Sequence, residues 1–246
     1  MISYAAECEC SDILRFLLGS RKVNPNKPDL FGNYPIHYAV KKTEIIENLR
    51  LLLIFPSIDV NVVNSKKNTP LLEAVECRNY NAFNLILDSS NIIDINAENE
   101  KGETAIFLAL KYKAKEIIGY LISIDIDPLL NNFNFQKGIL NPVYKNKPFY
   151  NVDFFHLTKK NENLFHYACL YCEIDLIKLF LNLKGIDLNL MSDEGTPLYY
   201  AFKSKNIDTV KFILDSVPDI RKENITIYYF CFLCYFKLFF LGIFFS

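Results

Sequence analysis

One seven-residue block returns five times along the chain, and no other feature limits the fold as strongly. Asn33-Tyr34-Pro35-Ile36-His37-Tyr38-Ala39 aligns with Asn68-Thr69-Pro70-Leu71-Leu72-Glu73-Ala74 and with Glu103-Thr104-Ala105-Ile106-Phe107-Leu108-Ala109. It recurs as Glu162-Asn163-Leu164-Phe165-His166-Tyr167-Ala168 and Gly195-Thr196-Pro197-Leu198-Tyr199-Tyr200-Ala201. The closing alanines are 35, 35, 59 and 33 residues apart. A second motif keeps step with the first: Ile58-Asp59-Val60-Asn61, Ile93-Asp94-Ile95-Asn96, Ile124-Asp125-Ile126-Asp127 and Ile186-Asp187-Leu188-Asn189. Between the two lie apolar clusters at helical spacing, such as Leu49, Leu52 and Leu53 or Phe83, Ile86 and Leu87, each suited to one short amphipathic helix. Thr-Pro at 69–70 and 196–197 suits a helix start, where proline's missing N–H would be unpaired in any case. Each unit reads as turn, helix, loop, helix, turn. A single unit of this kind cannot bury its own apolar face, so neighbours must stack.

These units resemble ankyrin repeats, whose pattern runs through Thr-Pro-Leu-His-x-Ala, a Leu-Leu second helix and Ala-Asp-Val-Asn. The resemblance covers residues 1 to about 224 and implies an all-α solenoid of about six helix-turn-helix units with β-turn fingers. Residues 1–26 form a partial first repeat, 27–128 three repeats and 159–224 two more. The family's glycine at the end of the first helix is absent, its place taken by Thr43, Arg78, Lys113, Cys172 and Lys205, which predicts irregular helix ends. Other departures are Ala105 for proline, Asn163-Leu164 for Thr-Pro, and a turn before Thr196 that is one residue short.

Residues 129–158 interrupt the period as an insertion rich in Asn, Pro and aromatic residues, among them Phe133, Phe135, Tyr144, Phe149, Tyr150, Phe154 and Phe155. Those rings either pack back on the solenoid flank or anchor a partner. The segment 225–246 is apolar with one charge, Lys237. It is long enough to span a bilayer, at a cost of roughly 2.5–3.5 kcal/mol for the lysine, and Arg221 and Lys222 favour the cytosol for the repeats. The rival readings are a degenerate packed last repeat and a gene-end artefact.

No catalytic constellation is expected, and neither is a cofactor or metal. The chain has no GxxxxGK[ST], GxGxxG, HExxH or GxSxG. His37 and His166 stand at the repeat's histidine position, where the resemblance implies a hydrogen bond to the backbone of the neighbouring turn. His156 has no nucleophile context. Cys169-x-x-Cys172 and Cys231-x-x-Cys234 raise the alternative of a thiol or metal-binding protein, but the first pair sits on a repeat helix and the second in an apolar run, without turn residues. Seven cysteines with no apolar leader suit a reduced, cytoplasmic setting. Lys plus Arg number 27 against 28 Asp plus Glu, a net charge of −1, which argues against nucleic acid.

The resemblance therefore implies a non-enzymatic, monomeric scaffold or adaptor that binds a protein through a concave groove, with membrane tethering or service as a substrate receptor of a larger complex as alternatives. Carried over position by position, the candidate contacts are Phe31, Asn33, Lys41 and Lys42, then Lys66, Asn68 and Glu76, then Lys101, Glu103, Lys111 and Tyr112. Lys160, Glu162 and Tyr171 follow, with Asp193 and Lys203 in the last unit. The aromatic anchors expected among them are Phe31, Tyr112 and Tyr171.

Overall fold

The structure, a computed structural model, describes residues 2–8, 10–20, 23–42, 46–89, 92–125, 151–181 and 185–216. The apolar tail, the Cys231 pair and the insertion aromatics from Phe133 to Tyr150 lie outside these residues. The chain divides into two units, Met1–Asp153 and Phe154–Ser246. All regular elements among the described residues are helical. No helix among them is long and apolar enough to cross a membrane.

In the first unit the helices come in pairs: α1 (Ile2–Glu7) with α2 (Ser11–Gly19), α3 (Pro35–Lys41) with α4 (Ile46–Leu53), α5 (Pro70–Glu76) with α6 (Tyr80–Leu87), and α7 (Ala105–Tyr112) with α8 (Lys115–Asp125). First helices stack on first helices and second helices on second. The recurring alanine explains how closely they approach: Ala39, Ala74 and Ala109 are at most 1% exposed, so a larger side chain there would push neighbouring helices apart. Around them pack Ile36, Leu49, Leu52, Leu72, Phe83, Ile86, Phe107 and Leu121. Phe83 meets Tyr120 edge to face at 5.5 Å. Backbone ends are closed by buried amides. Asn79 caps α6 by accepting from the Ala82 N–H, and donates to the carbonyls of Val40 and Lys42 at the end of α3. Asn48 reaches the Cys8 carbonyl at 2.7 Å in the same manner.

The second unit repeats the plan with α9 (Leu164–Tyr171), α10 (Ile174–Leu181), α11 (Pro197–Lys203) and α12 (Ile207–Ser216), α9 packing on α11 and α10 on α12. Asn163, standing where the pattern has threonine, caps α9 by accepting from the His166 N–H. α7 begins at Ala105 without a proline.

Three expectations need correction. The helix ends that lack glycine are regular where Arg78, Lys113 and Lys205 stand, because these residues adopt the left-handed conformation themselves at φ 54°, 56° and 60°. Cys172 is extended instead. Ile124 and Asp125 belong to the last turn of α8, so they do not form a loop motif. Its place is taken by Asn151-Val152-Asp153, counted above with the insertion: Asn96 donates to the Asn151 carbonyl and accepts from the Asp153 N–H. This matches the way Asn61 holds Ile92 and Asp94.

The left-handed cations carry a measurable strain. That conformation costs an L-residue roughly 1–2 kcal/mol, of which glycine's extra freedom in the unfolded chain returns about 0.4–1. Arg78→Gly and Lys113→Gly are each expected to raise stability by about 0.5–1 kcal/mol, read as a higher urea midpoint at unchanged slope.

Candidate functional site

The fingers between repeats are built by one recurrent device. In the first, the Asp29 carboxylate accepts from the backbone N–H groups of Phe31 and Asn33, both at 2.9 Å. In the second, Asn64 Oδ1 accepts from Lys66 and Asn68. Asn99 does the same for Lys101 and Glu103, Thr158 for Lys160 and Glu162, and Ser192 for Glu194 and Gly195 in the finger that is one residue short. The chain reverses at Gly32, Lys67, Gly102 and Asn161, all with φ between 58° and 74°. At Gly32 there is a second demand, since an added Cβ would sit 3.1 Å from the Ser65 nitrogen of the next finger. Ser65 Oγ donates to the Phe31 carbonyl, and the Glu100 N–H to that of Lys66 at 2.9 Å, so the first unit's fingers abut edge to edge. In the second unit Asp193 N–H donates to the Lys160 carbonyl.

The histidines lock helix to finger as the resemblance implies. His37 Nδ1 accepts from the Tyr34 N–H, so its proton is on Nε2, which faces the Asn68 carbonyl at 2.9 Å. His166 repeats this with the Asn163 N–H and the Gly195 carbonyl. Burial pushes both imidazoles below their ordinary value. An unfolded chain therefore takes up these protons first, and the stability they confer is complete above about pH 6.5 and lost as pH falls below it. Thermal midpoints are expected to fall between about pH 7 and 5, ahead of carboxylate titration, with a shallower slope in the His37→Gln and His166→Gln variants.

Beneath the fingers a polar network crosses the first unit. Tyr38 donates to Asp29 at 2.5 Å. Glu73, 5% exposed, accepts from Asn64 and Asn68 and pairs with Lys41 at 3.3 Å. Glu76 accepts from Asn68 at 2.8 Å and from the Tyr112 hydroxyl at 2.6 Å. Glu103 accepts from Asn99 and Lys111. In the second unit Glu162 accepts from Tyr200 and Thr158, and Glu194 is clamped by Lys160 and Lys203, the first of which does most to hold its carboxyl at about 2.

This network revises the candidate contacts. Asn68, Glu103 and Glu162 are buried and bonded within the repeats, so they are internal supports and offer no surface to a partner. Asn33, Lys41, Glu76, Lys111 and Tyr112 are half-buried, with side chains bonded inside the unit. Tyr112 is therefore not a free anchor, and Tyr171 lies half-buried, 5.6 Å from Tyr167. Lys160, Asp193 and Lys203 are exposed and engaged with one another's repeats, Asp193 through Asn161. Lys42, Lys66 and Lys101 are exposed, and Phe31 is 74% exposed beside Leu30, which is fully so. Sequence reasoning missed the finger-opening role of Asp29, Asn64, Asn99, Thr158 and Ser192. Their signal is a short oxygen-bearing side chain four residues before the block in the first four cases and three before Gly195 in the last.

Cys169 is fully buried on α9, where burial pushes its thiol well up, and burial also raises the thiol of the half-buried Cys77. No three His, Cys, Asp or Glu residues among the described ones are grouped to hold a metal.

The family profile described as ankyrin repeats (3 copies) matches residues 2–99, 47–132 and 136–224. A putative ankyrin repeat protein of Acanthamoeba polyphaga mimivirus, L371, is 25% identical over 209 residues, 79% of this chain and 27% of its own length. Another from fowlpox virus, FPV022, is 27% identical over 223 residues, 85% of this chain and 36% of its own. The chain thus spans about a third or less of these relatives. Among solved structures, the ankyrin repeat protein EF0377 superposes with a TM-score of 0.64 at 18% identity, over 86% of this chain and 95% of that one.

Proposed function

Since the chain belongs to the ankyrin repeat family, whose repeats are protein-interaction modules, we propose that it is a non-enzymatic adaptor that holds a protein partner on its finger tips. The observation that carries this is the division of labour within the first finger. There the Asp29 carboxylate and the backbone do the holding, while the side chains of the two tip residues make no bond to the fold. Those two are Leu30 and Phe31, 101% and 74% exposed. Adjacent apolar side chains in open water cost free energy that only a partner surface recovers. The polar network supports the same reading, because a preorganised face loses little on binding.

The test is site-specific photo-cross-linking in cells, with a benzophenone amino acid at position 31 or at 92, where Ile92 is more exposed, at 90%, but off the tips. Adducts specific to position 31, which disappear when Leu30→Ser is added, are the expected outcome. Identical adducts from both positions would defeat the proposal.

A further inference from the structure

On the finger face of the first unit Glu73, Glu76 and Glu103 are spent inside the repeats, together with Lys41 and Lys111, while the remaining lysines stay exposed. Glu73 and Glu103 are buried, and Glu76 is held by Asn68 and Tyr112. Along the finger edge Lys66, Lys67 and Lys101 are exposed. Lys66 has only a 4.0 Å approach to Glu76, and no ion pair is recorded for the other two among the described residues. Glu100 shares the third tip with Lys101, so positive charge is concentrated on the second finger. That finger abuts the Leu30–Phe31 tip through the Ser65 hydroxyl and the third finger through the Lys66 carbonyl. The result is a continuous strip, apolar at one end and cationic in the middle, on a chain whose net charge is −1.

Resting on the proposed binding role, we infer that this strip receives an extended acidic segment of a protein, with an aromatic or branched aliphatic side chain against Leu30 and Phe31 and carboxylates over Lys66 and Lys67. Charge complementarity selects the carboxylates and sets the approach rate, while the apolar end fixes the register. Nucleic acid suits the strip less well, because the cations end after one finger and the chain as a whole offers a phosphate backbone no attractive field.

The experiment is selection of a phage-displayed random dodecapeptide library on the full chain. Enriched peptides should place an apolar residue beside a run of Asp or Glu, and the best of them should weaken about tenfold on Lys66→Glu with Lys67→Glu, and steeply with added salt. Under selection the same double variant should invert the preference to basic peptides, whereas Leu30→Ser with Phe31→Ser should erase only the apolar position. Lys66→Gln with Lys67→Gln, checked by circular dichroism, separates lost charge from a damaged finger. Three results overturn the inference: no acidic enrichment, an acidic enrichment indifferent to the lysines, or tighter binding of a thymidine dodecamer or phosphatidylserine vesicles than of any peptide. If position 31 still cross-links a protein while acidic peptides fail, this inference falls and the adaptor role stands. If neither appears, both fall.

Discussion

Asn64→Ala is expected to destabilise the first unit by about 2–4 kcal/mol, one of the two largest effects of any substitution considered. One side chain serves four partners: its oxygen accepts from the backbone of Lys66 and Asn68, and its amide donates to Asn33 and to Glu73. Lys66 sits at an exposed tip where water replaces the lost acceptor. Asn68 and Glu73 are buried, so a backbone donor and a carboxylate are left short of partners. Urea unfolding followed by circular dichroism reads the loss directly. Asn64→Asp keeps the turn but sets a second carboxylate against Glu73. Like charges raise the folded-state pKa of the pair, so this variant should regain stability as pH falls, a slope opposite to that of the histidines. An equal loss at all pH values would show that the introduced carboxylate is not repelled by Glu73.

The second large effect belongs to Tyr200. Its ring is 1% exposed, 4.9 Å from His166 and edge-on to it, and its hydroxyl donates to Glu162 at 2.6 Å. Burial and then the Glu162 carboxylate raise the phenol well above its ordinary value, so it donates at every working pH. Tyr200→Phe removes one donor from a buried carboxylate and should cost about 1.5–3 kcal/mol. Tyr200→Ala adds a cavity between helix and finger and should cost about 3–5 kcal/mol. A Phe variant as stable as the parent would mean that Thr158 alone satisfies Glu162.

What was legible in the chain, and what was not, follows from the range of the physics. The block ending in alanine repeats because the close approach of helices repeats, so Ala39, Ala74 and Ala109 betray the stack without coordinates. The histidines were equally readable, since the resemblance implied their bond to the neighbouring turn. The side chains on the finger face were not. Position within the repeat assigned Tyr112 and Phe31 alike as anchors, but Tyr112 finds Glu76 across the adjacent repeat, 36 residues away, and Phe31 finds nothing to cover it. Such pairings depend on which residue happens to face which across an interface. Likewise Arg78 and Lys113 were legible as missing glycines, but not as residues that would bear the left-handed turn. The boundary after α8 was misjudged because the chain there keeps only the motif's leading aliphatic–aspartate pair, as Val152-Asp153, and lacks its closing asparagine.

The five finger-opening residues are Asp29, Asn64, Asn99, Thr158 and Ser192, and what they share is one acceptor oxygen on a short stem. Codons for aspartate, threonine and serine each lie a single base change from those for asparagine. Mutation can therefore wander among all four without leaving the fold, which lets a family's visible signature erode while its architecture persists. Residues next to them at the tips are freer still, so a lineage can exchange what it binds in small steps, each of which leaves a folded protein.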